Sequence, residues 1–362
     1  MTSLPTSASA QTVPSAEAAS VPVTELSADA VARSPARRMG MVEAYSELTK
    51  ARLSALVVMT TAVGYIMAAG GGFAWFTLGM TVLGTALTAG AAGGLNQLME
   101  RRRDQRMVRT RKRPLPSGSI GPVHTLVISL LMACLGVTLL FAFVNVPAGT
   151  LALLTIVLYL GVYTPLKPRS SVNTLVGAVV GAIPPMIGVA AATGALTVTA
   201  WILAGILFVW QIPHFLALAW LYREDYARGG FVMLPMVDRS GELTAQTVVL
   251  TSLLLIPLTL GLTMIGATGA AFAAVAIVLG LGLTGLGAAL YRKRDDDSAR
   301  RAFLGSIIYL PILLIVMVID RGPAGPTIAL EEGINPSDTN RLMTIQPAAR
   351  EGAGSGVSAR LP

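Results

Sequence analysis

The chain has 362 residues, 53% of them hydrophobic and only 13% charged, with a formal net charge of +8. Soluble globular domains carry roughly 25% charged residues, so this composition, with a mean hydropathy of +0.67, excludes an ordinary soluble protein. Apolar runs alternate with short basic loops, which also removes nucleic-acid binding as the explanation of the positive charge.

Residues 1–44 are rich in Ala, Ser, Thr, Pro and Val and include Glu17, Glu25 and Asp29. They lack the apolar core of a secretory signal and are too acidic for a good transit peptide. They are expected to form a disordered cytoplasmic tail. A membrane domain is expected over 45–320, and a second disordered tail, rich in Gly, Pro and Ala, over 321–362. Apolar segments fall at 53–70, 75–98, 122–144, 148–165, 174–192, 198–221, 244–265, 270–290 and 303–319. Each approaches the ~20 residues that cross ~30 Å of hydrocarbon. The alternating strands of a barrel are absent. The expected fold class is therefore an all-α polytopic membrane protein of about nine transmembrane helices. The single cysteine, Cys134, lies in mid-span and permits no intrachain disulfide.

The loops fix an orientation. "GGGFAW", "NVPAG", "TGALTV" and "GATG" hold no Lys or Arg, whereas 99–119 holds eight and 291–302 holds five. Lys167, Arg169, Arg223, Arg228 and Arg239 occupy the remaining basic loops. By the positive-inside rule these loops and the N-terminus are cytoplasmic, and nine spans put the C-terminus on the other side. Anionic membrane lipids are sufficient partners for most of this charge. Gly90 with Gly94, and Gly177 with Gly181, have the small-xxx-small spacing of close helix contacts.

The second span ends in "NQLMERRRDQRMVRTRKRPLPSG". Asn96, Glu100 and Asp104 are four residues apart and share one helix face. An amide oxygen and two carboxylates are hard donors suited to Mg2+, which completes its shell with water and substrate phosphates. Arg109, Thr110 and Arg113 follow as donors to the same phosphates. The competing reading is a solvated, mixed-charge helix end, with Arg101, Arg102 and Arg103 serving only as topology markers. Acids at a membrane edge are costly, which favours function.

This string, Asn96, Glu100, Asp104, Met107, Arg109, Thr110, Arg113 and Gly118, resembles the signature of the UbiA-type intramembrane prenyltransferases. Arg103 departs from it, standing where the family usually has an apolar residue.

Two further segments carry chemistry. In "YTPLKPRSSVNTLVGAVVGAIPPMIG", Lys167 and Arg169 sit on the same side as Glu100, either as phosphate donors or as topology markers. Pro184 and Pro185 are expected to break or bend the fifth span. In "WQIPHFLALAWLYREDYARGGFVMLP", Gln211 and His214 lie within the sixth span. Asp225 follows His214 by eleven residues, which on an unbroken helix shares its face. Asp225 is the natural second acidic site, with Tyr222, Arg223 and Tyr226 beside it. His124 is expected to be interfacial, and "RKRDDDSARR" to be a solvated turn.

Tyr163–Thr164 with Lys167, the Ala182–Pro185 turn, Trp210–Gln211 with Pro213–His214, and Asp225–Tyr226 are similar to one branch of that superfamily, the protohaem IX farnesyltransferases. Leu221 and Gly229 leave Asp225 without the acidic partner seen in quinone-pathway branches. The resemblance spans about 45–320. It implies a helical bundle around a central cavity, with Asn96, Glu100, Asp104 and Asp225 holding Mg2+. Asp104, Asp225 and His214 would be catalytic. Arg109, Arg113, Lys167, Arg169, Tyr163 and Tyr226 would bind substrate. The substrates would be farnesyl diphosphate and haem B, and the product haem O would feed haem A synthase or terminal-oxidase assembly. His214 would meet haem iron, meet a propionate, or assist water. A bacterial inner membrane fits the poor transit peptide, with a mitochondrial one as the alternative. Two other functions compete: prenylation of an aromatic quinone precursor such as 4-hydroxybenzoate, and cation transport.

Overall fold

A computed structural model describes residues 40–70 and 72–322. Most of both expected tails lies outside this range. Within it, Met41–Leu48 is helical and Arg321 donates to Ile66 O at 3.2 Å.

Among the described residues, nine helices are long and apolar enough to cross a membrane: Ala51–Ala68, Trp75–Asp104, Pro122–Phe143, Val146–Leu166, Asn173–Thr193, Val198–Leu221, Glu242–Met264, Ala270–Lys293 and Asp296–Ile319. The only β pairing among them is an isolated bridge between Thr268 and Arg321. The chain is a multi-pass membrane protein. Helices dominate because the bilayer offers no water to unpaired backbone groups. Local chemistry sets their ends. Gly121–Pro122 opens the third span with proline where no N–H is needed. Asn145 caps the fourth by accepting from Ala148 N at 3.0 Å. Gly194, at φ +75°, closes the fifth.

The first four spans run side by side, the sixth to ninth form a second group, and the fifth lies between them against the first, fourth and sixth. The ninth returns to touch the first. The fifth and sixth spans are the most enclosed and the third the most exposed. Lipid chains are as apolar as leucine, so close backbone approach holds such helices together. A Cβ on Gly64 would strike the Pro185 carbonyl, and one on Gly188 would strike the Thr61 carbonyl. Gly90 and Gly94 serve the expected packing role against Met132 and Ser129, and Gly177 and Gly181 do so against Tyr163 and Gln211. Gly188→Ala meets backbone that cannot swing aside. It is expected to destabilise by about 1–3 kcal/mol, read as a lower unfolding midpoint in detergent. An unchanged midpoint would remove this contact from the list of those holding the first and fifth spans together.

Three elements refine the expectation. The fifth helix runs unbroken through Pro184 and Pro185, and the pair sits at the tight crossing with the first span. The second helix continues to Asp104, 30 residues in all. At 1.5 Å per residue that is about 45 Å, longer than the hydrocarbon is thick, so its acids stand at the rim. The expected turn at 292–301 is shorter than its composition suggests. Asp295 caps the ninth helix by accepting from Ser298 N at 2.8 Å. Asp296 and Asp297 then occupy its first turn, where the helix dipole favours acids.

The basic loops gather at one end. Arg223 pairs with Asp296 at 2.7 Å, and Arg294 reaches Glu242 at 3.6 Å. Val232 N donates to Lys167 O at 2.8 Å, and Asn173 Nδ2 to Val232 O at 2.7 Å. Exposed ion pairs of this kind contribute little stability, but they tie three loops into one cap over the helix ends.

Candidate active site

The second helix presents its three oxygen donors inward at the capped end. Asn96 and Asp104 are fully buried and Glu100 nearly so. Each meets a cation. Lys50 Nζ donates to Asn96 Oδ1 at 2.6 Å. Lys167 Nζ donates to Glu100 Oε1 at 2.8 Å, and Arg113 donates to Asp104 Oδ2 at 2.9 Å. Asn96 Nδ2 donates to Thr164 Oγ1 at 3.0 Å, which fixes the amide so that its oxygen faces the cation. Thr110 Oγ1 donates to Asp104 O at 2.9 Å, folding the loop back under the helix end. Burial opposes the charge of Lys167, but Tyr163 and Glu100 facing it outweigh burial and hold the ammonium firmly charged.

Lys50 and Tyr159 are site residues that the sequence did not reveal. Lys50 adopts φ +51° in the turn between the surface helix and the first span, a conformation unusual for a residue with a side chain. The turn aims its ammonium at Asn96 and, at 3.3 Å, at Tyr159 OH. Burial, reinforced by Lys167, lowers its pKa to about 7. Tyr159 and Tyr163 belong to a π-helical turn, Leu158–Tyr163, within the fourth span. Such turns are rare and often mark functional sites. Pro165, which cannot donate to the carbonyl four residues before it, is the available sequence signal for that widening. The Lys167 ammonium lies 4.5 Å from the centre of the Tyr163 ring, a cation–π distance.

Asp225 is placed differently from the expectation of one unbroken helix. The sixth helix stops at Leu221, and Tyr222 departs from helical geometry at φ −110°, ψ 21°. Asp225 then sits on the separate helix Arg223–Gly229. It therefore does not share a face with His214. Its Oδ1 accepts from Val108 N at 2.8 Å and Arg228 at 2.9 Å. Its Oδ2 accepts from Arg109 N at 3.3 Å. Burial would raise this carboxyl, but the Arg228 guanidinium and the two backbone N–H groups outweigh it and hold the pKa below the ordinary carboxylate range. Among the described residues no group of three or more His, Cys, Asp or Glu converges on one point. In this structure Asp225 clamps the loop that carries Arg109 and Arg113. Asp225→Ala is expected to free that loop, read as faster proteolytic cleavage between Gln105 and Gly118. Unchanged cleavage would show that the clamp is dispensable.

Arg109 turns outward. Its guanidinium lies 5.1 Å from the Tyr222 ring and 5.6 Å from that of Tyr226, whose hydroxyl it reaches at 3.4 Å. It lines a surface cleft of about 400 Å3 with Tyr222, Arg223, Asp225 and Arg228, which does not include Asn96, Glu100 or Asp104. Arg169 is exposed. Arg103 bridges to the cap, donating to Gly230 O at 3.1 Å beside the Phe231 ring. His124 accepts or donates to Tyr45 OH at 2.7 Å on the exposed edge of the bundle. His214 lies between the rings of Trp210 and Phe303, with Nδ1 2.9 Å from Ser306 Oγ.

The donor set fits a hard divalent cation. Asp104 Oδ1 is buried without any partner, an expensive arrangement for a carboxylate oxygen. It stands on the same helix face as Glu100 and Asn96, and the charged Lys167 and Arg113, with Lys50 beside them, line that face where a polyanion would lie.

Residues 57–310 match the UbiA prenyltransferase family, and the chain belongs to that family. It is also similar to particular members. Over 286 residues it is 39% identical to a protoheme IX farnesyltransferase from Solibacter usitatus, covering 76% of this chain and 98% of that one. The mitochondrial protoheme IX farnesyltransferase of Homo sapiens is 41% identical over 280 residues, covering 77% and 62%. Among solved structures, a digeranylgeranylglyceryl phosphate synthase superposes with a TM-score of 0.65 at 15% identity, covering 78% of this chain and 98% of that one. A UbiA homologue from Archaeoglobus fulgidus bound to DMAPP and Mg2+ gives 0.60 at 14% identity, covering 76% and 99%. The last two establish the shared fold.

Proposed function

We propose that the protein transfers the farnesyl group of farnesyl diphosphate to a vinyl group of haem B, giving haem O and diphosphate. The observation that carries this reading is the buried row Asn96, Glu100 and Asp104 faced by Lys50, Lys167 and Arg113. It sits in a chain about 40% identical over most of its length to proteins named for that reaction.

Asn96, Glu100 and the orphaned Asp104 Oδ1 would hold Mg2+. When bound, the metal supplies positive charge against the departing diphosphate. Lys50, Lys167 and Arg113 bind the phosphate oxygens and stabilise the same developing charge from fixed positions. Arg109 and Arg169 attract the diphosphate at the outer edge of the cap, and Tyr226 orients Arg109. Asp225 holds the loop that carries Arg109 and Arg113. Tyr163 and Tyr159 present π faces beside the cations and border the allylic fragment. The apolar bundle below keeps water from the allylic cation until the vinyl π electrons attack it. Water then adds to the resulting cation and loses a proton, leaving a hydroxyl on the new side chain.

The gathered basic loops support a cytoplasmic site, with the N-terminus on the same side and the C-terminus on the other; a bacterial inner membrane is the proposed location. The product is expected to serve haem A synthase or terminal-oxidase assembly. The reading is tested by supplying membranes containing the protein with farnesyl diphosphate and either haem B or 4-hydroxybenzoate, followed by mass spectrometry. Haem O with haem B supports it, whereas a prenylated benzoate alone would transfer the protein to the quinone branch.

A further inference from the structure

His214 sits in the sixth span, seven residues before its end at Leu221. At 1.5 Å per residue it lies about 10 Å below the rim. Its imidazole is stacked on Trp210 with ring centres 5.1 Å apart and 22° between planes. On the other side Phe303 lies at 5.0 Å and 33°. Phe215 meets it edge-on at 5.5 Å. Rotation of the ring is therefore blocked on both faces.

The proton on this ring can be assigned from the network. Ser306 Oγ donates to Phe303 O at 2.6 Å. A serine hydroxyl has a single proton, so Ser306 Oγ can only accept at its second contact. His214 Nδ1, 2.9 Å away, must be the donor. Ser306 is itself fully buried and braced, because Trp210 Nε1 donates to its carbonyl at 2.9 Å. Nδ1 thus carries the proton and Nε2 carries a bare lone pair. Nε2 has no hydrogen-bond partner among the described residues, and it is not among the polar atoms sealed inside. An acceptor left open at this depth is costly unless something meets it.

Metal-binding histidines typically donate their other ring N–H to an oxygen, which sets both tautomer and orientation. The same arrangement holds haem iron in many proteins. We propose that His214 Nε2 is an axial ligand to the iron of the acceptor haem, and that Ser306 is the positioning residue that keeps this nitrogen free and aimed. The proposal rests on haem B being the acceptor. It places the acceptor iron against the sixth span, about 10 Å from the end of that helix.

The test uses the full chain in lipid nanodiscs with ferric haem B and no farnesyl diphosphate, read by optical and electron paramagnetic resonance spectra. The wild type is expected to show a histidine-ligated haem. His214→Gly should lose that signature, and added imidazole should restore it. Ser306→Ala should weaken haem binding roughly 10–100-fold and shift the iron–histidine signal, while Ser306→Thr, which keeps the hydroxyl, should retain it. Ser306→Ala carries the test alone if the glycine variant does not fold. A wild type that makes haem O, with a haem spectrum unchanged in both His214→Gly and Ser306→Ala, overturns the ligation and leaves the proposed reaction standing. A wild type that neither binds haem nor makes haem O overturns the reaction itself.

Discussion

Asp104→Asn is expected to reduce farnesyl transfer by a factor of about 10² or more. Asparagine keeps the shape of the side chain, and Thr110 still bonds the backbone carbonyl of residue 104. What is lost is one unit of charge at a position only 1% exposed, where Arg113 is held at 2.9 Å. The orphaned Oδ1 loses its value as a cation ligand, and Arg113 loses its anchor. Removing a preorganised electrostatic group from a reacting centre typically costs a few kcal/mol of barrier, or about 10²–10³ in rate. The measurement is single-turnover product formation across a Mg2+ series. A variant that reaches the wild-type rate at high Mg2+ would reduce Asp104 to an affinity determinant. Wild-type rate at every Mg2+ concentration would end the assignment of this helix face as the reacting centre.

The second large effect concerns stability. Lys167 and Glu100 form a pair at 2.8 Å with side chains 12% and 6% exposed. Removing one partner of a buried pair leaves an uncompensated charge and typically costs about 3–5 kcal/mol. Lys167→Met is therefore expected to lower the unfolding midpoint sharply in metal-free detergent. Because Glu100 is then bare, Mg2+ should recover part of the loss by binding the native state, and more than it stabilises the wild type. Transfer activity should fall as well, since a phosphate donor is gone. If Mg2+ stabilises the variant no more than the wild type, Glu100 is a structural partner of Lys167 and has no role toward the metal.

Much of the architecture was readable along the chain. Twenty-residue apolar runs need only the thickness of a bilayer to be interpreted, and alternating loop charge orders them. The row Asn96, Glu100 and Asp104 was readable for the same reason, because all three lie on one helix and its period alone places them together. His214 and Asp225 were misjudged by the same argument. It assumed an unbroken helix, and the chain turns at Tyr222, where Trp220 and Arg223 are both anchored on Asp296.

The sequence by itself determined the spans, their order, the basic end of the bundle and the oxygen row of the second helix. These depend on hydrophobic length, charge and helical period, all of which are local. Only the tertiary structure decided which cation meets which oxygen. It brought Lys50, Asn96 and Tyr159 together, committed Asp225 to backbone N–H groups, and paired His214 with Ser306. Those pairings depend on close crossings between helices distant in the chain, such as Gly64 on Pro185, and on loops folded over their ends. Neither leaves a periodic trace in the sequence.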